Sequence, residues 1–233
     1  MNLYLRRKNK EQHYITSSVI TPRDKGFISG NMKTGYSLNF PISNCRPTTT
    51  CSQNCYACSG PIAFKNSILK ALSIEQQLGQ DLPLAVRETA KEIKRLKLDN
   101  LRYSGGGDLS DSGVEYIKQL ANALPEVIFW GFTRKVDVAE QLINSNKLNI
   151  KVIFSLDKTT PSSILTKVAN LKLNTSWLYD DSNNPPPRDV YVTFANHANG
   201  RLDKTLTKLA GECPAIHDHS VHCDECRHCF NFQ

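Results

Sequence analysis

The chain has 233 residues, 39% hydrophobic and 22% charged, which suits one large globular domain or one domain with a small appendage. No apolar run approaches the roughly 20 residues that cross a bilayer, and Arg6, Arg7 and Lys8 turn the start basic too soon for a signal peptide. The expectation is a cytoplasmic protein with no membrane partner, whose formal net charge of +7 makes nucleic acid a partner to consider.

In chain order, the first 30 residues show weak periodicity and predict irregular structure or short strands, so residues 1–34 form an N-terminal extension. Gly35 to Phe40 predicts a short strand ended by Pro41. Residues 45–58, rich in Thr, Ser, Asn and Pro, predict a loop, and a helix follows over about 64–78. Asp81 caps a helix with Val86, Ala90, Ile93 and Leu96 on one face. Its wet face carries Lys91, Lys94, Arg95 and Lys97, which with Arg6-Arg7-Lys8 is one of the two densest basic runs, and no stacking-aromatic motif accompanies the charge.

Leu98 to Tyr103 predicts a strand, and Ser112 with Glu115 a capping box opening the next helix. Val127 to Thr133 predicts a buried strand, Asp137 with Glu140 a second capping box, and Ile150 to Leu156 a further strand. Thr160-Pro161 opens a helix with proline at its first position. Strands over 176–179 and 190–195 flank a stiff loop at Asn183 to Pro187, and a short helix near 202–209 leads to the last cysteines.

Such alternation implies an α/β fold with a mostly parallel sheet. About six strand–helix units fit residues 35–210, too few for a closed eight-unit barrel. The expected fold is a partial (β/α)6-type barrel or an open parallel sheet, with a cysteine-rich extension over 211–233. Active groups then collect at the carboxyl ends of the strands.

The eight cysteines fall into two groups, Cys45, Cys51, Cys55 and Cys58, then Cys213, Cys223, Cys226 and Cys229, with none over 59–212. In a reducing compartment this clustering points to metal ligands rather than disulfides. Cys51, Cys55 and Cys58 have the spacing C-x3-C-x2-C. A cubane of four irons takes four thiolates, so three leave one iron open, and an open position separates a reactive site from a structural one. With Cys45 the group has four thiolates, enough for tetrahedral zinc, but one compact run is less typical of zinc than two separated C-x2-C knuckles. Cys45 is a fourth ligand, a spare thiol, or a ligand in place of Cys58. The second group, with two adjacent C-x2-C steps, suits a fully ligated 4Fe–4S cluster; zinc is the alternative, since His217, His219, His222 and His228 crowd the same segment.

The run Ser104, Gly105, Gly106, Gly107, Asp108 follows a predicted strand and precedes a helix. Three glycines let backbone amides approach a ligand, and Asp108 can accept hydrogen bonds from an ammonium or hydroxyl group. The run lacks the lysine of a phosphate-binding loop, and a plain turn is the alternative. Lesser candidates at other strand ends are Thr133-Arg134-Lys135, Ser155-Leu156-Asp157, Asp180-Asp181 and Asn196-His197.

These residues carry two resemblances. The three-cysteine spacing after a first strand, followed by a glycine-rich strand end, resembles radical S-adenosylmethionine enzymes. Ala57 stands where those enzymes usually have an aromatic residue, Tyr56 being displaced by one, and Asp108 stands where a glutamate is more usual. More narrowly, Gly35-Tyr36-Ser37-Leu38, Cys45, Cys51, Cys55-Tyr56-Ala57, Ser104 through Tyr116, Pro125 to Phe129, Thr133-Arg134-Lys135 and the closing cysteines resemble the phage and plasmid "gene product 88" family. That family shares the first three of these cysteines more than the position of Cys58. The resemblances imply an iron–sulfur enzyme with two 4Fe–4S clusters. The first would bind S-adenosylmethionine, with Tyr56 and Ser104 to Asp108 as cofactor contacts, and reductive cleavage would give a 5′-deoxyadenosyl radical. A flavodoxin or ferredoxin would supply electrons, and the second cluster would transfer electrons or anchor substrate. The contrasting expectation is a non-catalytic protein stapled by two closed metal sites, binding nucleic acid or passing electrons.

Overall fold

A computed structural model describes residues 2–17, 26–31, 34–180, 185–195, 212–214, 218 and 220–232. Seven strands form one open sheet in the order of the chain: β1 (Ser29–Asn31), β2 (Gly35–Asn39), β3 (Asn100–Gly106), β4 (Ile128–Thr133), β5 (Ile150–Asp157), β6 (Asn174–Tyr179) and β7 (Val192–Ala195). Only β1 and β2 run antiparallel; every later pair is parallel. Of the two expected architectures, the open sheet is the one formed.

Helices α1 (Leu3–Thr16), α2 (Thr49–Gln53), α3 (Lys65–Gln80), α4 (Leu82–Leu96), α5 (Asp111–Ala123), α6 (Val136–Ile143), α7 (Ser162–Asn170) and α8 (Cys223–Cys226), with 3-10 turns at Ile42–Asn44, Tyr56–Cys58 and Pro61–Ala63, complete the described elements, so the expected loop over 45–58 is partly helical. Each parallel strand adds beside the previous one. Right-handed crossovers that all step the same way leave their helices on one face of the sheet. Leu101, Tyr103, Phe129, Val152, Phe154 and Trp177 of the sheet meet Ile93, Ile117, Leu120, Val138 and Leu142 of α4, α5 and α6 there, in one apolar core. The other face carries Arg102, Trp130 and Lys151 side by side on β3, β4 and β5. Phe230 of the C-terminal segment packs on Trp130 there, ring centroids 5.0 Å apart.

Several elements differ from expectation, each for a local reason. The N-terminal extension opens with a 14-residue helix capped by Asn2, whose side chain accepts from Tyr4 N at 2.9 Å. Its buried face is Tyr4, Arg7 and Glu11, so an apolar periodicity never marks it. Helix α5 starts two residues early, with Ser110 rather than Ser112 as its cap, accepting from Gly113 N at 3.0 Å. Asp137 does not cap α6, which has no side-chain cap; it lies in the first turn and pairs with Arg46 at 3.1 Å. Pro161 is the residue before α7 rather than its first. The expected glycine-rich turn is mostly strand, because β3 continues through Gly106. The predicted helix over 202–209 lies outside the described residues, as do Asp181, Asn183, Asn184, Asn196, His197, His217 and His219.

Candidate functional site

The first cysteine loop leaves the carboxyl end of β2, and α1 clamps it from one side. Glu11, fully buried, accepts from Ile42 N at 3.1 Å and Ser43 N at 3.0 Å. Arg7 pairs with Glu11 at 3.3 Å and donates to the carbonyls of Ala57 and Ile62 at 3.3 and 3.0 Å. The Tyr4 hydroxyl donates to Ile42 O at 3.1 Å. One helix face thus holds the chain on both sides of the four thiols.

The ends of β3, β4 and β5 hold the loop from the other side. Thr48 donates to the buried carboxylate of Asp157, which also takes Arg134 Nη1 at 2.7 Å. Thr159 Oγ1 accepts from Thr50 N at 3.1 Å, and Thr48 caps α2 by accepting from Cys51 N at 3.1 Å. Asn44 Nδ2 reaches Glu75 at 2.9 Å and Asp108 O at 3.2 Å. Of the expected strand-end candidates, Arg134 and Asp157 are therefore gathered with the cysteines, whereas Thr133 bonds Asp108, Lys135 donates to Leu109 O at 2.7 Å, Ser155 accepts from Ser176 and Asp180 pairs with Lys158 at 3.3 Å.

All four thiols are reduced and part-buried, and Cys45, Cys55 and Cys58 pack against Tyr4, Ile42 and Ala57. Desolvation, reinforced by Asp108, Cys55 and Cys51, pushes the Cys45 pKa well up. Cys51 is also raised by desolvation, with Arg134 opposing. Cys55 and Cys58 share a hydrogen bond: Cys55 holds its proton, while Cys58 is lowered by that bond and then by Arg7. Desolvation raises the Tyr4 pKa, with Cys45 and Cys55 adding to the rise. Among the described residues, no three His, Cys, Asp or Glu side chains are arranged to hold a single metal ion.

The glycine-rich strand end is packed against its own chain. Gly107 has φ of +74°, and a Cβ there would stand 2.0 Å from Phe40 O; at Gly106 it would stand 2.3 Å from the Ile62 side chain. Ser104 is left-handed too, at φ +54°, and donates its hydroxyl to Phe132 O at 2.8 Å. Asp108 is buried and turned inward. Its carboxylate accepts from Thr133 Oγ1 at 3.0 Å, Leu109 N at 2.8 Å and Arg134 N at 3.3 Å. The hydroxyl expected at Asp108 is thus supplied by Thr133. Burial raises its pKa to about 6, against these bonds. Tyr56 bridges the two motifs, donating its hydroxyl to Gly105 O at 2.9 Å.

The second cysteine group lies on the opposite face of the sheet from the helices. Cys213 N bonds Thr193 O of β7 at 3.0 Å. Tyr191 stacks on His228 at 4.6 Å and donates to His228 O at 2.7 Å, while Lys151 donates to Phe232 O at 2.7 Å. Cys229 has its pKa pushed up to about 12 by burial, then by Cys213 and Cys223, so these thiols lie in one another's field. Cys226 is exposed.

Sequence reasoning missed Tyr4, Arg7 and Glu11, whose spacing of three and four was the available signal, and it missed Arg102, which carried none. No curated protein and no solved structure gives a match to this chain. A family model described as gene product 88 matches residues 6–231, nearly the whole length, so the chain belongs to the gene product 88 family.

Proposed function

We propose that this protein is a radical S-adenosylmethionine-type enzyme with two iron–sulfur clusters. The observation that carries the reading is position: a group of four reduced thiols sits at the carboxyl end of the first parallel strand, among the neighbouring strand ends. Open parallel sheets place their ligands at such ends.

The donor set fits a cluster. Thiolates are the protein ligands of iron–sulfur groups, and buried thiols that resist ionisation alone ionise readily against a cation. The spacing assigns Cys51, Cys55 and Cys58 to the first cluster. The family resemblance favours Cys45 in place of Cys58, although Cys45, Cys55 and Cys58 pack in one cluster. Cys213, Cys223, Cys226 and Cys229 would hold the second. When bound, a cluster with an open iron supplies the electron for reductive cleavage of S-adenosylmethionine. The chain's own contribution is rigid placement: α1 fixes the loop, Arg134 faces Cys51, and Tyr56 ties the loop to Gly105. By the resemblance, Ser104 to Gly107 and the Tyr56 ring would lie beside the cofactor, with Asp108 positioning the strand end behind them. An external flavodoxin or ferredoxin would supply electrons, and the net charge of +7 makes a nucleic-acid substrate the first to try.

A second reading rests on Cys58, which bonds Cys55 and packs in one cluster with Cys45 and Cys55. Four thiolates would close the site and make it a structural staple in a nucleic-acid-binding or electron-transfer protein. Anaerobic purification decides between them. The enzyme reading expects about eight irons per chain and conversion of S-adenosylmethionine to methionine and 5′-deoxyadenosine under dithionite. A colourless zinc protein, or one with iron and no cleavage, overturns it. Cleavage that survives Cys58→Ala but not Cys45→Ala assigns the ligands to Cys45, Cys51 and Cys55.

A further inference from the structure

Arg102 lies on the open face of the sheet, on β3 and beside Trp130 of β4. Its guanidinium carbon sits 5.5 Å from the Trp130 ring centroid and 5.2 Å from that of Phe132. Among the described residues no carboxylate pairs with it, and its buried Nε has no hydrogen-bond partner. The side chain as a whole remains partly exposed. Tyr56 of the first cysteine loop bonds Gly105 farther along the same strand, and Phe230, the residue after Cys229, packs on Trp130, so Arg102 lies between the two cysteine groups.

An unpaired, partly buried cation is costly, and aromatic faces offset only part of that cost. The planar fork of a guanidinium matches the paired oxygens of a carboxylate or phosphate. We propose that Arg102 is the anchor for an oxyanion, a carboxylate or phosphate group of the substrate, on the open face of the sheet between the two cysteine groups. The site stands on this geometry whether or not the first group binds S-adenosylmethionine.

The test uses the full chain, handled anaerobically in chloride buffer without S-adenosylmethionine, titrated calorimetrically with inorganic phosphate and separately with acetate. Saturable binding of at least one probe is expected, weakened at least tenfold by Arg102→Met and less by Arg102→Lys, which keeps the charge but loses the fork. The tighter probe identifies the ligand as phosphate or carboxylate. Lys94→Met, which removes one exposed charge from α4, should leave the affinity unchanged. Circular dichroism checks folding, and if Arg102→Met does not fold, Arg102→Lys carries the comparison. Two results overturn the proposal: no saturable binding of either probe, as for an arginine that only offsets thiolate charge, or affinity that the folded variant retains.

Discussion

The two cysteine groups are held in opposite ways. The first is enclosed: α1 holds its loop through Glu11 and Arg7, and the strand ends hold it through Asp157 and Arg134. The second rides on a four-residue helix and turns, held by ring packing of Phe230 on Trp130 and His228 on Tyr191 and by polar bonds from Tyr191, Lys151 and Arg227 near the surface. Polar clamps with buried partners impose one geometry on a loop, whereas ring contacts and exposed polar bonds constrain a segment less. The first loop is thus fixed by buried polar partners, and the second is held by rings and by contacts near the surface.

The strongest way to break this contrast is Glu11→Ala. It leaves Arg7 buried without its partner and two loop amides without an acceptor, and should cost about 3–5 kcal/mol in urea denaturation. A loss no larger than that of an exposed surface substitution would mean that α1 does not brace the loop. Phe230→Ala should remove about 3 kcal/mol of packing from the C-terminal segment. Limited proteolysis should then cut after residue 212 while the sheet stays intact; simultaneous loss of both regions would erase the distinction.

Asp108 sharpens the comparison through pH. Its carboxyl holds a proton up to about pH 6 in the folded chain, against an ordinary value of 3.8. The folded state therefore binds more protons between these values, and stability falls as pH rises from about 4 to 6, by about 3 kcal/mol. Thermal melts should show this decline in the wild type and not in Asp108→Asn; matching profiles would remove Asp108 as the source. The smallest expected effect is at Tyr191→Phe, which loses the bond to His228 O but keeps the stacked ring. The cost should be under about 1 kcal/mol, read as a slight rise in hydrogen exchange of the C-terminal segment.

The sequence by itself determined the alternation of strands and helices, the parallel sheet and the partition of cysteines into two groups, because period, caps and spacing are local properties. Asp81 illustrates this: it caps α4 as expected, accepting from Leu84 N at 2.9 Å. Where caps compete within two residues, as at Ser110 and Ser112, packing of the whole helix chooses, and the local pattern misleads. Only the tertiary structure decided that the N-terminal helix clamps the cysteine loop. Its buried face is polar, and polar residues become core only when another segment supplies their partners. The same holds for the glycine-rich strand end. Its spacing is a local fact, but Phe40, Ile62 and Thr133, distant in sequence, determine that the glycines pack against the chain and that Asp108 turns inward. Arg102 is the extreme case: nothing in its neighbours along the chain marks it, and its exceptional position comes from the Trp130 and Phe132 rings on the adjacent strand.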